Sequence, residues 1–151
     1  MGTRCAIAYV NESNQIVGKY SHYDVYPEYT GVMLADHYTK DHRIKGMVLF
    51  GDQSVLMKEY IPTSGDHSFE TPEKDVTVFY GRDRGELGCL PRTFNTVQEY
   101  TEYFKSMGCE YFYLWAYDRN QGKHDWTCWD TNGTQWECSN PRKMKPEEVA
   151  A

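Results

Sequence analysis

The chain has 151 residues, with 16 Lys and Arg against 22 Asp and Glu, a formal charge of −6. That length implies one ordinary domain. The acidic balance, spread over both halves, argues against a basic nucleic-acid groove and against an anionic-membrane surface, so no direct DNA binding and no membrane association are expected. Thirteen Tyr and four Trp place the burial capacity in rings with an apolar body and a polar tip, which favours a half-buried sheet or a binding surface over a greasy helical bundle.

Residues 3–10 alternate, with Cys5, Ile7 and Tyr9 on one face, and 11–15 are turn-forming in composition. With 16–21 they predict an opening β-hairpin. After Pro27, the spacing predicts a helix over 31–39 and a second over 41–50, with Asp41 as N-cap and Gly51 as the stop. Residues 52–74 hold Pro62, Gly65 and Pro72 and are expected to be mostly loop, longer than connections usually run. A strand is predicted at 76–80 and a Gly-, Pro- and Arg-rich loop at 81–92. A helix follows at 96–107, opened by a capping box at Asn95 or Thr96 and closed by Gly108. Val97, Tyr100, Phe104 and Met107 form its apolar stripe.

Residues 110–117 are apolar on both faces and predict a central strand. Strand-like residues 126–129 and 134–138 flank Thr131-Asn132-Gly133, the strongest hairpin signal in the chain. The expected order is β-β-α-α-β-α-β-β-β, and hairpin turns demand antiparallel neighbours. The expected fold is α+β: a single mainly antiparallel sheet with two to three helices packed on one face. Residues 1–140 would form one globular domain and 141–151 a polar flexible tail. The five cysteines are odd in number and lack C-x-x-C spacing, so free thiols in a reducing cytoplasm are expected. Cys89, near Arg92, is either an activated thiol or a packing residue.

Two polar clusters stand out. The first, Ser21 to Gly31, sets His22, Asp24 and Glu28 among Tyr23, Tyr26 and Tyr29 around Pro27. In a strand, His22 and Asp24 point the same way. A histidine beside a carboxylate serves as a tuned base, a metal ligand or a hydrogen-bonded anchor, and the anchor role would leave the tyrosines packed on the sheet. A metal site would need three or more ligands to converge from among His22, Asp24, Glu28 and either His37 or His67, and no metal or other cofactor is expected. The second cluster is Arg82, Asp83, Arg84 and Glu86 between Gly81 and Gly85. Two guanidiniums there suit a phosphate or carboxylate, or else satisfy the acids beside them. Arg4 would pair with Asp24 or Asp83 or join the same anionic pocket. The tyrosines at 111, 113 and 117 with Trp115 suit core or partner contact better than base stacking.

Thr3-Arg4-Cys5-Ala6-Ile7, His22-Tyr23-Asp24-Val25-Tyr26-Pro27, Leu49-Phe50-Gly51-Asp52 and Tyr80-Gly81-Arg82-Asp83-Arg84-Gly85-Glu86 together resemble a family of small phage and prophage-linked bacterial proteins of no established function. Its members open with T-R-x-x-I and carry H-W-D-G-Y-P-like and R-D-R-G-E-like motifs. Tyr23 replaces the expected Trp here, and Val25 the expected Gly. The resemblance implies a phage accessory protein in the cytoplasm of the bacterial host and transfers no catalytic residue.

No nucleotide-binding or hydrolase motif occurs. The expected function is therefore a non-enzymatic inhibitor or sequestering module against a host system, including anti-phage defence. Its partner would be a host protein or a small anionic, nucleotide-like ligand, and a homo-oligomer is compatible with the sequence. The expected binding residues are Arg4, His22, Tyr23, Asp24, Tyr26, Tyr29, Arg82, Asp83, Arg84 and Glu86. The alternative is a small hydrolase or nucleotide-modifying enzyme using His22, Asp24 and Glu28 with Arg82 and Arg84. Both need the two bends to share one address on the surface.

Overall fold

The computed structural model describes residues 3–145 and Glu148. β1 (Arg4–Val10) and β2 (Ile16–His22) form the expected hairpin, in which Arg4 stands opposite His22. A π-helical turn at Pro27–Gly31 runs into α1 (Val32–His37), so the chain coils earlier than the glycine suggests. α2 spans Asp41–Leu49; Lys40 holds the capping position assigned to Asp41, whose carboxylate instead accepts a hydrogen bond from Trp115 Nε1 at 2.8 Å.

Residues 76–80 are not a strand. Val76 and Phe79 make only isolated bridges, and Tyr80 opens a short helix, α3 (Tyr80–Arg84). Then come β3 (Arg92–Phe94) and α4 (Val97–Ser106). Thr96 Oγ1 caps α4 by accepting from Glu99 N at 3.1 Å, and Gly108 follows at φ +87°. β4 (Tyr111–Asp118), β5 (Lys123–Asp130), β6 (Gln135–Glu137) and β7 (Arg142–Lys143) follow.

Among the described residues the strands make one seven-stranded sheet in the order β3-β2-β1-β4-β5-β6-β7. The α+β class holds, with a larger sheet than expected, and a mixed one: β1 pairs with β4 in parallel, and the other neighbours are antiparallel. Helices cover both faces rather than one. Ala6 and Ala8 of β1 pack with Tyr100 and Phe104 of α4. Cys5, Ile7 and Tyr9 pack on the other side with Leu34 of α1 and Ile44, Met47 and Val48 of α2. Strand alternation supplies both faces. Gly18 is needed where α4 crosses, since a Cβ there would lie 2.8 Å from the Tyr100 ring. Of the α4 stripe, Tyr100 and Phe104 are buried, Met107 is partly buried, and Val97 is exposed.

Candidate functional site

β2 ends at His22, and the chain turns through two successive left-handed residues, Tyr23 at φ +72° and Asp24 at φ +50°. Neither is glycine, and such residues cost on the order of 1–3 kcal/mol each unless their surroundings hold them. Here they are held. Tyr23 N donates to Thr3 O at 2.8 Å, Thr30 Oγ1 donates to Asp24 O at 2.6 Å, and the buried Tyr113 hydroxyl donates to Val25 O at 2.7 Å. Val25 is fully buried beneath the bend.

The outcome is a fixed bend presenting rings. Tyr23 is 47% exposed and Tyr26 42% exposed. The Tyr23 ring stacks on His22 at 3.7 Å, and Tyr26 meets Tyr111 edge-on at 5.9 Å. Tyr29 turns inward, its hydroxyl donating to Leu56 O at 2.8 Å. Arg4 pairs with neither Asp24 nor Asp83; its Nε donates to the Tyr20 hydroxyl at 3.2 Å.

His22 and Asp24 are not joined by a hydrogen bond or ion pair among the described residues, because the left-handed turn ends the strand geometry that would align them. His22 Nε2 is covered and finds no hydrogen-bond partner among the described residues. Burial, and then the Arg4 charge, push its pKa below the ordinary histidine value, which favours the neutral ring. Among the described residues, no group of three His, Cys, Asp or Glu could hold a metal ion.

The second cluster works mainly inward. Arg82 forks onto Asp83, Nε to Oδ1 at 2.8 Å and a terminal nitrogen to Oδ2 at 3.0 Å, and also donates to Tyr60 O at 2.6 Å and Thr77 O at 3.3 Å. Its guanidinium lies over the rings of Phe50 and Phe79. Asp83 Oδ2 accepts from Phe79 N at 2.9 Å and lies 3.1 Å from Nε2 of His67, whose Nδ1 accepts from Glu73 N at 2.9 Å. The backbone donor at Nδ1 leaves Nε2 as the proton-bearing nitrogen. Burial works to raise the Asp83 pKa, but the donors of Arg82 and Phe79 and the Arg82 charge outweigh it and hold it below the usual value. Arg84 remains on the surface, 3.5 Å from Glu86 and over the rings of Phe69 and Tyr80.

The segment at 52–57 joins the two bends. His22 N donates to Gln53 O, Ser21 Oγ to Ser54 O, and Tyr80 N to Asp52 O. Burial, with the Tyr20 and Tyr23 phenols nearby, pushes the Tyr80 hydroxyl up to about 12. The bends are therefore neighbours: they meet through Tyr80, close to Tyr20 and Tyr23, with Arg84 beside Tyr80 on its own bend, while Arg82 and Asp83 brace the interior. Tyr20 and Tyr80 belong to this aromatic rim and were not among the expected site residues; Tyr80 opens the second motif, and the only signal for Tyr20 was its place two residues before His22.

Lys19 also escaped sequence inspection. It is fully buried, its Nζ donating to Met47 O at 2.6 Å and to Gln53 Oε1, above the Phe79 ring at 4.6 Å. Burial drives its pKa well below the ordinary lysine value, with the Asp52 charge opposing. The alternation of β2 was the available signal, since Lys19 falls on the face of Val17. All five cysteines are free. Cys89 is not activated: burial and the Glu86 charge raise its pKa. Tyr113 and Trp115 are buried in the core while Tyr117 is exposed, so they form no stacking platform. Comparison with protein-family models, curated proteins and solved structures returns no match for this chain.

Proposed function

We propose that this chain is a non-enzymatic accessory protein of phage or prophage origin, an inhibitor or sequestering module that binds a host protein in the bacterial cytoplasm. The observation that carries the binding surface is the fixed bend at Tyr23–Tyr26. Two half-exposed tyrosines project from it: Tyr23 from left-handed backbone that its surroundings hold, and Tyr26 from the extended backbone that follows. Rigid aromatic anchors lose little entropy on binding and dominate interface energetics. Phage origin, and host defence as the target, rest on the likeness of the N-terminal and R-D-R-G-E-like motifs.

The nucleotide-like ligand is the weaker alternative, because Arg82 is committed to Asp83, Tyr60 O and Thr77 O. The hydrolase alternative is weaker still, since His22 and Asp24 share no hydrogen bond. Affinity capture from host cells tests the proposal with the wild-type chain and a Tyr23→Ala/Tyr26→Ala variant of matching thermal stability. The expected result is one host protein retained by the wild type and lost with the variant. Equal retention by both chains would overturn it.

A further inference from the structure

A pocket of about 420 Å³ opens beside the joining segment. Its floor is apolar: Val55, Met57, Val76 and Val78. Phe69, 45% exposed, and Pro72 form a wall. Small-molecule sites are typically of this kind, about 300–1,000 Å³, apolar and with a few polar groups at the rim.

The wall is tied down. His67 is anchored to Asp83 through Nε2 and receives Glu73 N at Nδ1, while Glu73 accepts from Thr63 N, Thr63 Oγ1 and Ser64 N at 2.6–3.1 Å. The pocket is thus formed before any ligand arrives.

The rim carries two carboxylates and one lysine, and the group left uncommitted sets the ligand class. The Glu73 carboxylate is turned onto the Thr63 and Ser64 donors, and Asp75 stands 3.6 Å from Lys58. Lys74 lines the pocket, is exposed, and forms no ion pair among the described residues. Arg84, over the outer Phe69 ring at 4.5 Å, is already paired with Glu86 at 3.5 Å, which leaves Lys74 as the rim cation available to a ligand. We infer that the pocket is a binding site for an amphipathic organic acid, its apolar body on the valine floor and its anionic head at Lys74. This site is separate from the tyrosine bend and stands whether or not the bend binds a protein.

The probe is 8-anilinonaphthalene-1-sulfonate, an aromatic anion that fluoresces on apolar burial. Titration of the full chain is expected to show one saturable site, with methyl NMR shifts concentrated at Val55, Met57, Val76 and Val78. Decanoate should displace the probe better than decanol. Lys74→Ala, a surface change that leaves the fold intact, should weaken binding about 2- to 5-fold, the range of an exposed ion pair. Val55→Phe should fill the pocket and abolish saturation. Tyr23→Ala should leave binding unchanged. No saturable binding, shifts centred elsewhere, or indifference to both Lys74→Ala and decanoate would overturn the assignment.

Discussion

His67 and Asp83 lie sixteen positions apart in sequence and 3.1 Å apart in space, with side chains only 1% and 5% exposed. This contact ties the residues around 67–73 to the base of α3. It turns the second cluster from a surface feature into a clamp, since Asp83 also receives Arg82 and Phe79 N.

Removing Asp83 should therefore be costly. Asp83→Ala leaves Arg82 without its acid and Phe79 N and His67 without an acceptor, and should destabilise by about 3–5 kcal/mol, the range for breaking a buried pair. The Asp83 pKa is held down in the fold, so its stabilising effect is complete above the unfolded carboxylate value. It is lost as pH falls through the lower, folded value. Urea unfolding should show less loss of stability on acidification for Asp83→Asn than for the wild type.

Lys19 has the opposite dependence. Its folded pKa is depressed, so the unfolded chain binds more protons, and stability from this group rises with pH toward the ordinary lysine value. In Lys19→Met that rise disappears. Unfolding free energies measured at pH 7 and pH 10 should show the stability of Lys19→Met, relative to wild type, declining as pH increases.

Tyr113 holds the bend from below. Tyr113→Phe leaves Val25 O without its donor and should cost about 1–3 kcal/mol, the penalty for an unsatisfied buried group. Amide hydrogen exchange should accelerate at residues 23–30 and remain unchanged in α4, which lies across the sheet.

The thiols should divide by burial. Cys5, Cys109, Cys128 and Cys138 are buried, while Cys89 is partly open. Mass spectrometry after iodoacetamide treatment of the folded chain should find Cys89 alone modified, and more slowly than free cysteine at pH 7.5, because its pKa is raised. The other four should react once urea unfolds the chain.

Local chemistry made part of the fold legible. The β1–β2 hairpin, the Thr96 cap of α4, the two-sided β4 and the turn at Gly133 each announce themselves within a few residues. The parallel pairing of β1 with β4 does not, because Cys5 and Tyr111 are brought together across the intervening chain. The segment at 52–79 was opaque for another reason. It is held by side chain–backbone bonds such as Met57 N to Thr77 Oγ1, which leave no periodicity to read. Val76 to Tyr80 has strand-forming composition, but Asp75 precedes it at φ +63° and only single bridges form. At the site, the tyrosines marked the N-terminal bend. The inward turn of Arg82 was hidden, because its partners include Tyr60 O, far back in the chain.

Photo-crosslinking in host cells tests the central claim most directly. p-Benzoylphenylalanine in place of Tyr26 is compared with the same residue in place of Tyr117, also exposed but six residues along β4 from the Tyr26 contact at Tyr111, about 20 Å away at strand rise. A discrete host-protein adduct from position 26 and none from position 117 is the predicted result. An adduct from position 117 alone, or none from either, would contradict the account.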